Sequence, residues 1–595
     1  MRASLTKNGL TLRVIAGTTN TILGLDLQPA QRKGCLGFSI HRQDLGPVGK
    51  PFAQNERPER WLPNLLQFPS DKTDPAKTPI TTLTAPLQKF RWGDYTCDPG
   101  HTYRYQVVPR YGQPLALLPA KISESDGVTV EISTEDNGAD ETAVFFNRGA
   151  AASRAFNLKF PNIKTESQLL ADTPEAQKAK DWLARGVEEA LLAFMAKAKD
   201  EKFAMHAAIY EFQKPRLLQA LLEARKRGVE VQVVYHHRSK GDADYTAVKN
   251  DEAIKAAGLP KDMLTPRNAN PQDAIMHNKF IVLLKSQRNQ LVPFAVWTGS
   301  LNWTDGAVYG QLNVGHAVYR PDTAATYEAC FQLLKKDLGS EDMRHELGKL
   351  TPVSLLIPAQ HGVTAVLSPQ ETDTMLHLYS AICARARCVL VCAPFALSPI
   401  ILAAFTTKPP AGSLRFFLLD KEASLGKGQE VNVIENDPSN MISVAATQST
   451  VLRNFQGNLL LGKESFRHAG IHIHSKIILA DPFGSDPILV MGSANFSRNS
   501  TEINDSNSLI FRGDTSVADI YTTEFMRMFE HYHFRASEAH TLKKQKEQPK
   551  PPAGKAAKKS PGVIDLVEDD SWSDDYYIND STKELDRRMF AGTLI

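Results

Sequence analysis

Apolar side chains alternate with polar ones through the first 160 residues. Leu10, Leu12 and Val14 share one face of an extended segment; so do Leu36, Phe38 and Ile40, then Tyr103, Tyr105 and Val107, then Val128, Val130 and Ile132. This period of two, punctuated by Pro and Gly, predicts half-buried strands of an all-β sandwich over 1–160. From about residue 165 the period lengthens. Trp182, Leu183, Val187, Ala190, Leu191 and Phe194 recur at three- and four-residue steps and predict a helix over 173–199. Short apolar runs at 204–209, 229–235, 277–284 and 294–298 read as strands, with a helix opened by Pro215 and running to Arg227. A second stretch repeats the plan: helix 371–385, strand 389–391, a helix opened by Pro399, and strands 414–419 and 472–479. Strand–helix–strand order predicts α/β layers on a largely parallel or mixed sheet. The expected architecture is therefore multi-domain, with α/β repeats over 165–345 and 355–535 facing each other as a pseudo-dimer.

Composition changes this picture little. The 595 residues exceed what one core organises. A hydrophobic share of 42%, a charged share of 23% and a net charge of +3 are ordinary for a globular protein and neither demand nor forbid a nucleic-acid partner. The six cysteines (Cys35, Cys97, Cys330, Cys383, Cys388, Cys392) form no C-x-x-C pair and suggest reduced thiols in an intracellular protein. Residues 388–405 carry no charge, but Pro394, Ser398 and Pro399 interrupt them, which favours a strand, a turn and a core helix over a membrane span. With no signal-like start, a soluble protein is expected, cytoplasmic rather than nuclear.

One pattern occurs twice. His277-Asn278-Lys279 is followed by Gly299-Ser300-Leu301-Asn302, and His474-Ser475-Lys476 by Gly492-Ser493-Ala494-Asn495. One His-x-Lys is a common accident; two, each with a Gly-Ser-x-Asn some twenty residues on, are not. Residues two apart on a strand share a face, so each copy offers an imidazole, an ammonium, a hydroxyl and an amide to one surface. Two such sets in one cleft suit a phosphodiester: cations and donors hold the non-bridging oxygens, one histidine attacks phosphorus, and the other protonates the leaving oxygen. This chemistry requires no metal or other cofactor, and no metal cluster is evident.

The two copies resemble the HKD motifs of the phospholipase D superfamily over roughly residues 165–535. The second copy has His474, Lys476 and Asp481 at H-x-K-x-x-x-x-D spacing, then GSANFS at 492–497; the first keeps GSLNWT at 299–304 but has Leu284 at the Asp position. Asn313 and Ser506 stand where many members of the family carry Glu. The resemblance implies a phosphodiester hydrolase or transferase whose catalytic set is His277, Lys279, Ser300, Asn302, His474, Lys476, Asp481, Ser493 and Asn495. It also implies His277 as nucleophile and His474 as acid and base. The segment around Tyr103 resembles the late strands of a fibronectin type III domain with a tyrosine corner.

Other residues carry blander readings. His236 and His237 are expected at the surface, Trp303 and Phe496 in the core, His472 beside His474, and Glu211 facing the site. Arg225, Lys226, Arg227, Arg238 and Lys240 offer positive charge that a solvated helix end explains equally well. The tail, 540–595, is expected to be disordered, basic and then acidic, with a Lys/Pro/Ala-rich linker over 543–559. Val563 to Asp570 looks like a SUMO-interacting motif, and the alternative is an acidic segment docking on its own enzyme. The expected function is a phospholipase D-type phosphodiesterase acting on phospholipid or nucleic acid through a phosphohistidine. The alternative is a decayed phosphate-binding or scaffold protein.

Overall fold

The N-terminal alternation becomes two antiparallel sheets in the computed structural model, which describes residues 1–64, 66–74, 77–120, 127–137, 141–149, 154–237, 245–268, 274–421, 425, 434, 437–445, 472–547 and 565–594. One sheet orders Arg2–Lys7, Leu10–Ala16, Thr21–Leu27 and Arg91–Asp94; the other orders Val128–Ser133, His101–Pro109, Phe38–Pro47 and Glu59–Trp61. Their inward residues, including Leu12, Val14, Phe38, Ile40, Tyr103 and Tyr105, form one buried cluster. The Tyr103 hydroxyl accepts the Asp98 N–H at 2.7 Å and ties the turn to the strand after it.

Two seven-stranded sheets follow with the same strand order. The first runs Thr142–Phe146, Val314–Val318, Gln290–Gly299, Lys279–Gln287, Phe203–Ile209, Glu230–His236, Leu264–Arg267; the second runs Gly362–Ser368, Ser506–Arg512, Ile488–Gly492, Ile477–Ala480, Cys388–Ala393, Leu414–Leu419, Asn440–Val444. In each, the last three strands are parallel and the other pairings antiparallel, so the sheets are mixed. The pleat then divides the core. Phe280, Val282 and Leu284 point into a cluster shared with Leu390, Cys392 and Leu479 of the second sheet, whereas Ile281 and Leu283 pack under the first sheet's own helices. The helices Pro321–Lys335 and Thr515–Glu547 contribute Phe331, Tyr521 and Phe529 to that shared cluster.

Several expectations change. The helix foreseen over 173–199 is two, Pro174–Ala184 and Val187–Met195, because Arg185 and Gly186 take left-handed φ values of 46° and 83°. The first α/β sheet begins before residue 160, since Thr142–Phe146 pairs with Val314–Val318. The linker foreseen from Lys543 starts inside a helix that continues to Glu547. Residues 565–594 are ordered rather than disordered: Asp570–Tyr577 and Thr582–Ala591 are helical and bury Trp572 and Phe590. Residues 548–564 of the foreseen linker and motif, Val563 and Ile564 among them, lie outside the described residues, as do Arg238 and Lys240. Segment 388–405 folds as strand Cys388–Ala393 and the start of helix Pro399–Thr406, and no helix among the described residues is long and apolar enough to cross a membrane. All six cysteines are buried and unbridged.

Buried ion pairs, Arg185–Glu524 and Arg267–Asp505 among them, join the first repeat to the second. Arg267 of the first is fully buried, with Nε 3.1 Å from Asp505 of the second and Nη1 2.9 Å from Asp337. Removing one partner strands a buried charge, so Arg267→Ala should lower stability by about 3–5 kcal/mol in urea unfolding. Asp262→Ala breaks the exposed pair with Arg225 and should cost under about 1 kcal/mol.

Candidate active site

The duplicated residues meet where the two repeats exchange backbone bonds. His277 N–H donates to Asp505 O at 2.8 Å, and His474 N–H donates to Leu312 O at 3.0 Å. Single parallel bridges, Met276 with Asp505 and Leu312 with Ile473, extend each exchange. The histidines precede their strands, which start at Lys279 and Ile477, so the shared-face reading on a continuous strand does not hold for them. Convergence comes instead from this crossing. The two imidazole rings lie 6.3 Å apart, centre to centre, at 73°.

Each copy is anchored alike. Lys279 Nζ donates to His277 O at 2.7 Å, and Lys476 Nζ to His474 O at 2.6 Å. Gly299 and Gly492 have φ of 152° and 155°, and a Cβ on either would collide with a carbonyl across the sheet, Val314 O or Asn507 O. The hydroxyls after them belong to the framework. Ser300 Oγ donates to Asn313 Oδ1 at 2.8 Å and accepts from Val314 N; Ser493 Oγ accepts from Asn507 N at 3.0 Å. Asn302 and Asn495 follow on the same loops, and the side-chain oxygen of each has no hydrogen-bond partner among the described residues.

The histidines are held unequally. His474 Nδ1 lies 2.9 Å from Ser300 O and 3.0 Å from Asn313 Oδ1; both are acceptors, so Nδ1 carries the proton and Nε2 keeps its lone pair. His277 receives a backbone contact from Ser493 but no hydrogen bond of ordinary geometry at Nδ1. Ser506, whose hydroxyl reaches no partner among the described residues, occupies the place that Asn313 holds in the first repeat.

Asp481 does not join this group. Its carboxylate accepts the N–H groups of Arg387 and Cys388 at 2.8 and 3.1 Å, at the start of the strand whose other end adjoins the site. There it fixes strand register. The matching Leu284 lies inside a longer strand, buried in the core, where no such cap is needed.

Residues outside the motif complete the walls. His236 is buried, against the surface expectation: its Nδ1 accepts Met276 N–H at 3.3 Å and its ring lies 5.1 Å from Tyr210. Tyr210 in turn lies 5.2 Å from the His277 ring and 5.1 Å from Lys279 Nζ. Asp420 plays His236's part in the second repeat, accepting His472 and Ile473 N–H at 2.7 and 3.0 Å. His472 turns its side chain to Asp420 at 3.6 Å. Asn147, directly after the edge strand Thr142–Phe146, reaches in, accepting Asn313 N–H and donating to Ala307, Val308 and Gln311 carbonyls. Trp303 and Phe496 are core residues. Tyr210, Asp420 and Asn147 had no signal in the sequence, because nothing in their spacing ties them to the motif. Among the described residues, Asp44, Asp98 and His101 place ligand-type atoms within 4.8 Å of one another. Asp44 there already accepts Gly46 N–H and contacts His101.

Burial dominates the electrostatics. Removal from water, then Lys279, Lys476 and His474, hold His277 well below the usual imidazole value; removal from water, Lys476 and Lys279 do the same to His474. Lys279 is pushed well below the usual ammonium value, and Lys476 down to about 7, by burial. The negative charge of Glu211 pulls both lysines back up. A dianion here would restore the charged forms, so binding should take up protons. Tungstate titrated at pH 8 in buffers of different ionisation enthalpy should show that uptake. Lys476→Met should weaken tungstate by roughly tenfold to a hundredfold, the worth of one charge-assisted hydrogen bond. Without anion, the unfolded chain binds more protons than the folded one between pH 7 and the ordinary lysine value. Stability from Lys476 therefore rises with pH through that window, and stability from the histidines falls as pH drops through about 6.5.

The model of a family described as cardiolipin synthase, PLD-like domain, matches residues 191–335 and 419–529. No curated relative matches the sequence. Among solved structures, phosphatidylserine synthase of Haemophilus influenzae Rd KW20 is 9% identical over 59% of this chain and 85% of its own, with a TM-score of 0.41. Nuc of Salmonella typhimurium, a phospholipase D family member, is 23% identical over 25% of this chain and 87% of its own, TM-score 0.20. Yeast tyrosyl-DNA phosphodiesterase is 13% identical over 53% and 86%, TM-score 0.31.

Proposed function

From the premise that the two α/β repeats belong to the phospholipase D superfamily, we propose that this chain is a phosphodiesterase working through a phosphohistidine, its repeats paired as a pseudo-dimer around one site. The observation that carries the reading is the 6.3 Å approach of His277 and His474, one from each repeat, between Lys279 and Lys476. His277 Nε2 attacks phosphorus while the bond to the leaving oxygen breaks. His474, which takes up a proton at Nε2 when the anionic substrate binds, gives that proton to the leaving oxygen. Water then loses a proton to neutral His474 and attacks phosphorus, the P–N bond breaks, and a phosphomonoester leaves. An alcohol in place of water gives transfer instead of hydrolysis. Lys279 and Lys476 hold the equatorial oxygens and their growing charge.

The unequal hydrogen bonding supports this division of roles. An acid must be stable as imidazolium, and Ser300 O and Asn313 Oδ1 both accept from His474 Nδ1. A nucleophile must stay neutral, and His277 faces Lys279, Lys476 and His474 with little to offset them. Asn302 and Asn495 are the amides with side-chain oxygens left over for substrate or water; the Ser300 and Ser493 hydroxyls position rather than bind.

Substrate class is tested directly, with single-stranded DNA and phosphatidylcholine vesicles each incubated with the intact protein in EDTA. Cleavage of one of them should disappear in His277→Asn and fall by about 10²–10⁴-fold in His474→Asn, the range for a general acid. Tungstate binding with no turnover of any phosphodiester would instead identify a decayed, phosphate-holding protein. Asn313→Ala removes one acceptor from His474 and should lower kcat while leaving KM nearly unchanged. Its pH–rate profile should shift its alkaline limb to lower pH, because the imidazolium that must donate the proton loses a stabilising oxygen.

A further inference from the structure

Residues 565–594 lie far along the chain from the sandwich they cover, and they cover it in two ways. The first is as an extended segment held by one isolated bridge and a few backbone bonds. Asp565 bridges Gln67 in parallel, Leu566 N–H donates to Gln67 O at 2.8 Å, and the Gln88 amide clasps Val567 at N–H and C=O (2.8 and 2.7 Å). Leu566 enters a small apolar cluster with Leu36, Phe68, Ile80 and Ala85. Trp572 goes deeper: it stacks on Phe90 at 5.3 Å, meets Phe38 edge-on at 6.0 Å, and donates its indole N–H to Cys35 O at 2.8 Å. Carboxylates line the rim, Glu568 accepting Ser70 N–H, Asp570 accepting Gly34 N–H, and Asp574 pairing with Arg32.

The second is as a helix. Thr582–Ala591, capped by Ser581, rests on strand Thr21–Leu27, and Arg587 pairs with Asp26. Phe590 reaches the second repeat, packing edge-on against Phe483 at 4.8 Å and Phe416 at 6.1 Å. Gly24 lies under the helix end, where a Cβ would collide with Phe590 O and come within 2.8 Å of Ala591 N. That strand is bare where a peptide backbone must lie against it.

We propose that the N-terminal sandwich is a peptide receptor whose ligand is the chain's own segment 565–594, docked as a separable module anchored by Leu566 and Trp572. The backbone bonds at Leu566 and Val567 give register, and pockets for two apolar side chains six positions apart give selectivity for an acidic peptide of that pattern. Because it belongs to the same chain, the segment holds a high effective concentration that a competing peptide must exceed. Leu566 N–H is committed to Gln67 O, so a partner's sheet edge can engage the acidic stretch only after it leaves the sandwich.

The full-length chain tests this. In Trp572→Ala the resident segment is weakened, and a fluorescein-labelled synthetic peptide of 565–594 with the natural sequence should bind the vacated groove. The same peptide carrying Trp572→Ala should bind at least about 30-fold more weakly, as expected for a buried aromatic anchor. Gly24→Val added to the Trp572→Ala chain should weaken the natural peptide, while tungstate binding at the distant site stays unchanged and reports an intact fold. Equal binding of the two peptides, or no binding by a chain that still takes tungstate, overturns the proposal.

Discussion

Two imidazoles and two lysine amines buried in one cleft repel one another whenever they carry protons, and water is not there to screen them. The arrangement around them answers that constraint. Each ammonium is given a backbone carbonyl two residues back, His277 O or His474 O. His474 is given two oxygens, and Glu211 supplies negative charge to both lysines. What remains is a deficit of negative charge, which a bound anion would fill.

The same constraint accounts for the two-repeat architecture. A single repeat offers one histidine and one lysine, and the oxygens that hold its histidine come from the other repeat. Ser300 and Asn313 belong to the first repeat and hold His474 of the second; Asp505 belongs to the second and receives His277 N–H. Neither half can orient its own imidazole. The buried Arg267–Asp505 pair links the same two backbone segments, so the interface that supports the site also couples it to overall stability.

Strands with strict alternation, such as Leu10–Ala16 and His101–Pro109, were legible in the sequence because one buried face fixes their register. Leu414–Leu419 was legible as an apolar run broken only by Arg415. The motif residues were legible because they come twice. What lay hidden was set by contacts between distant segments. Asp481 matched a spacing and proved to cap a strand start; Asn147, just after the edge strand Thr142–Phe146, organises the loop around Asn313; His236 ends a strand, but Met276 and Tyr210 pack on it and it is buried. The acidic end of the chain misled for a related reason. Its composition lacks the apolar density of a domain, but Trp572 and Phe590 need only sites already built by Phe90, Phe416 and Phe483.

The claim that His277 forms a covalent bond to phosphorus while His474 manages the proton is tested most directly by trapping that bond. A p-nitrophenyl phosphodiester needs no proton on leaving, so in His474→Asn the first step proceeds and the second stalls. Mass spectrometry of the acid-avoiding digest should then find the phosphoryl adduct on the peptide containing His277, released slowly and absent from His277→Asn. An adduct on another residue, or stoichiometric p-nitrophenol release with no adduct at His277, would contradict the account.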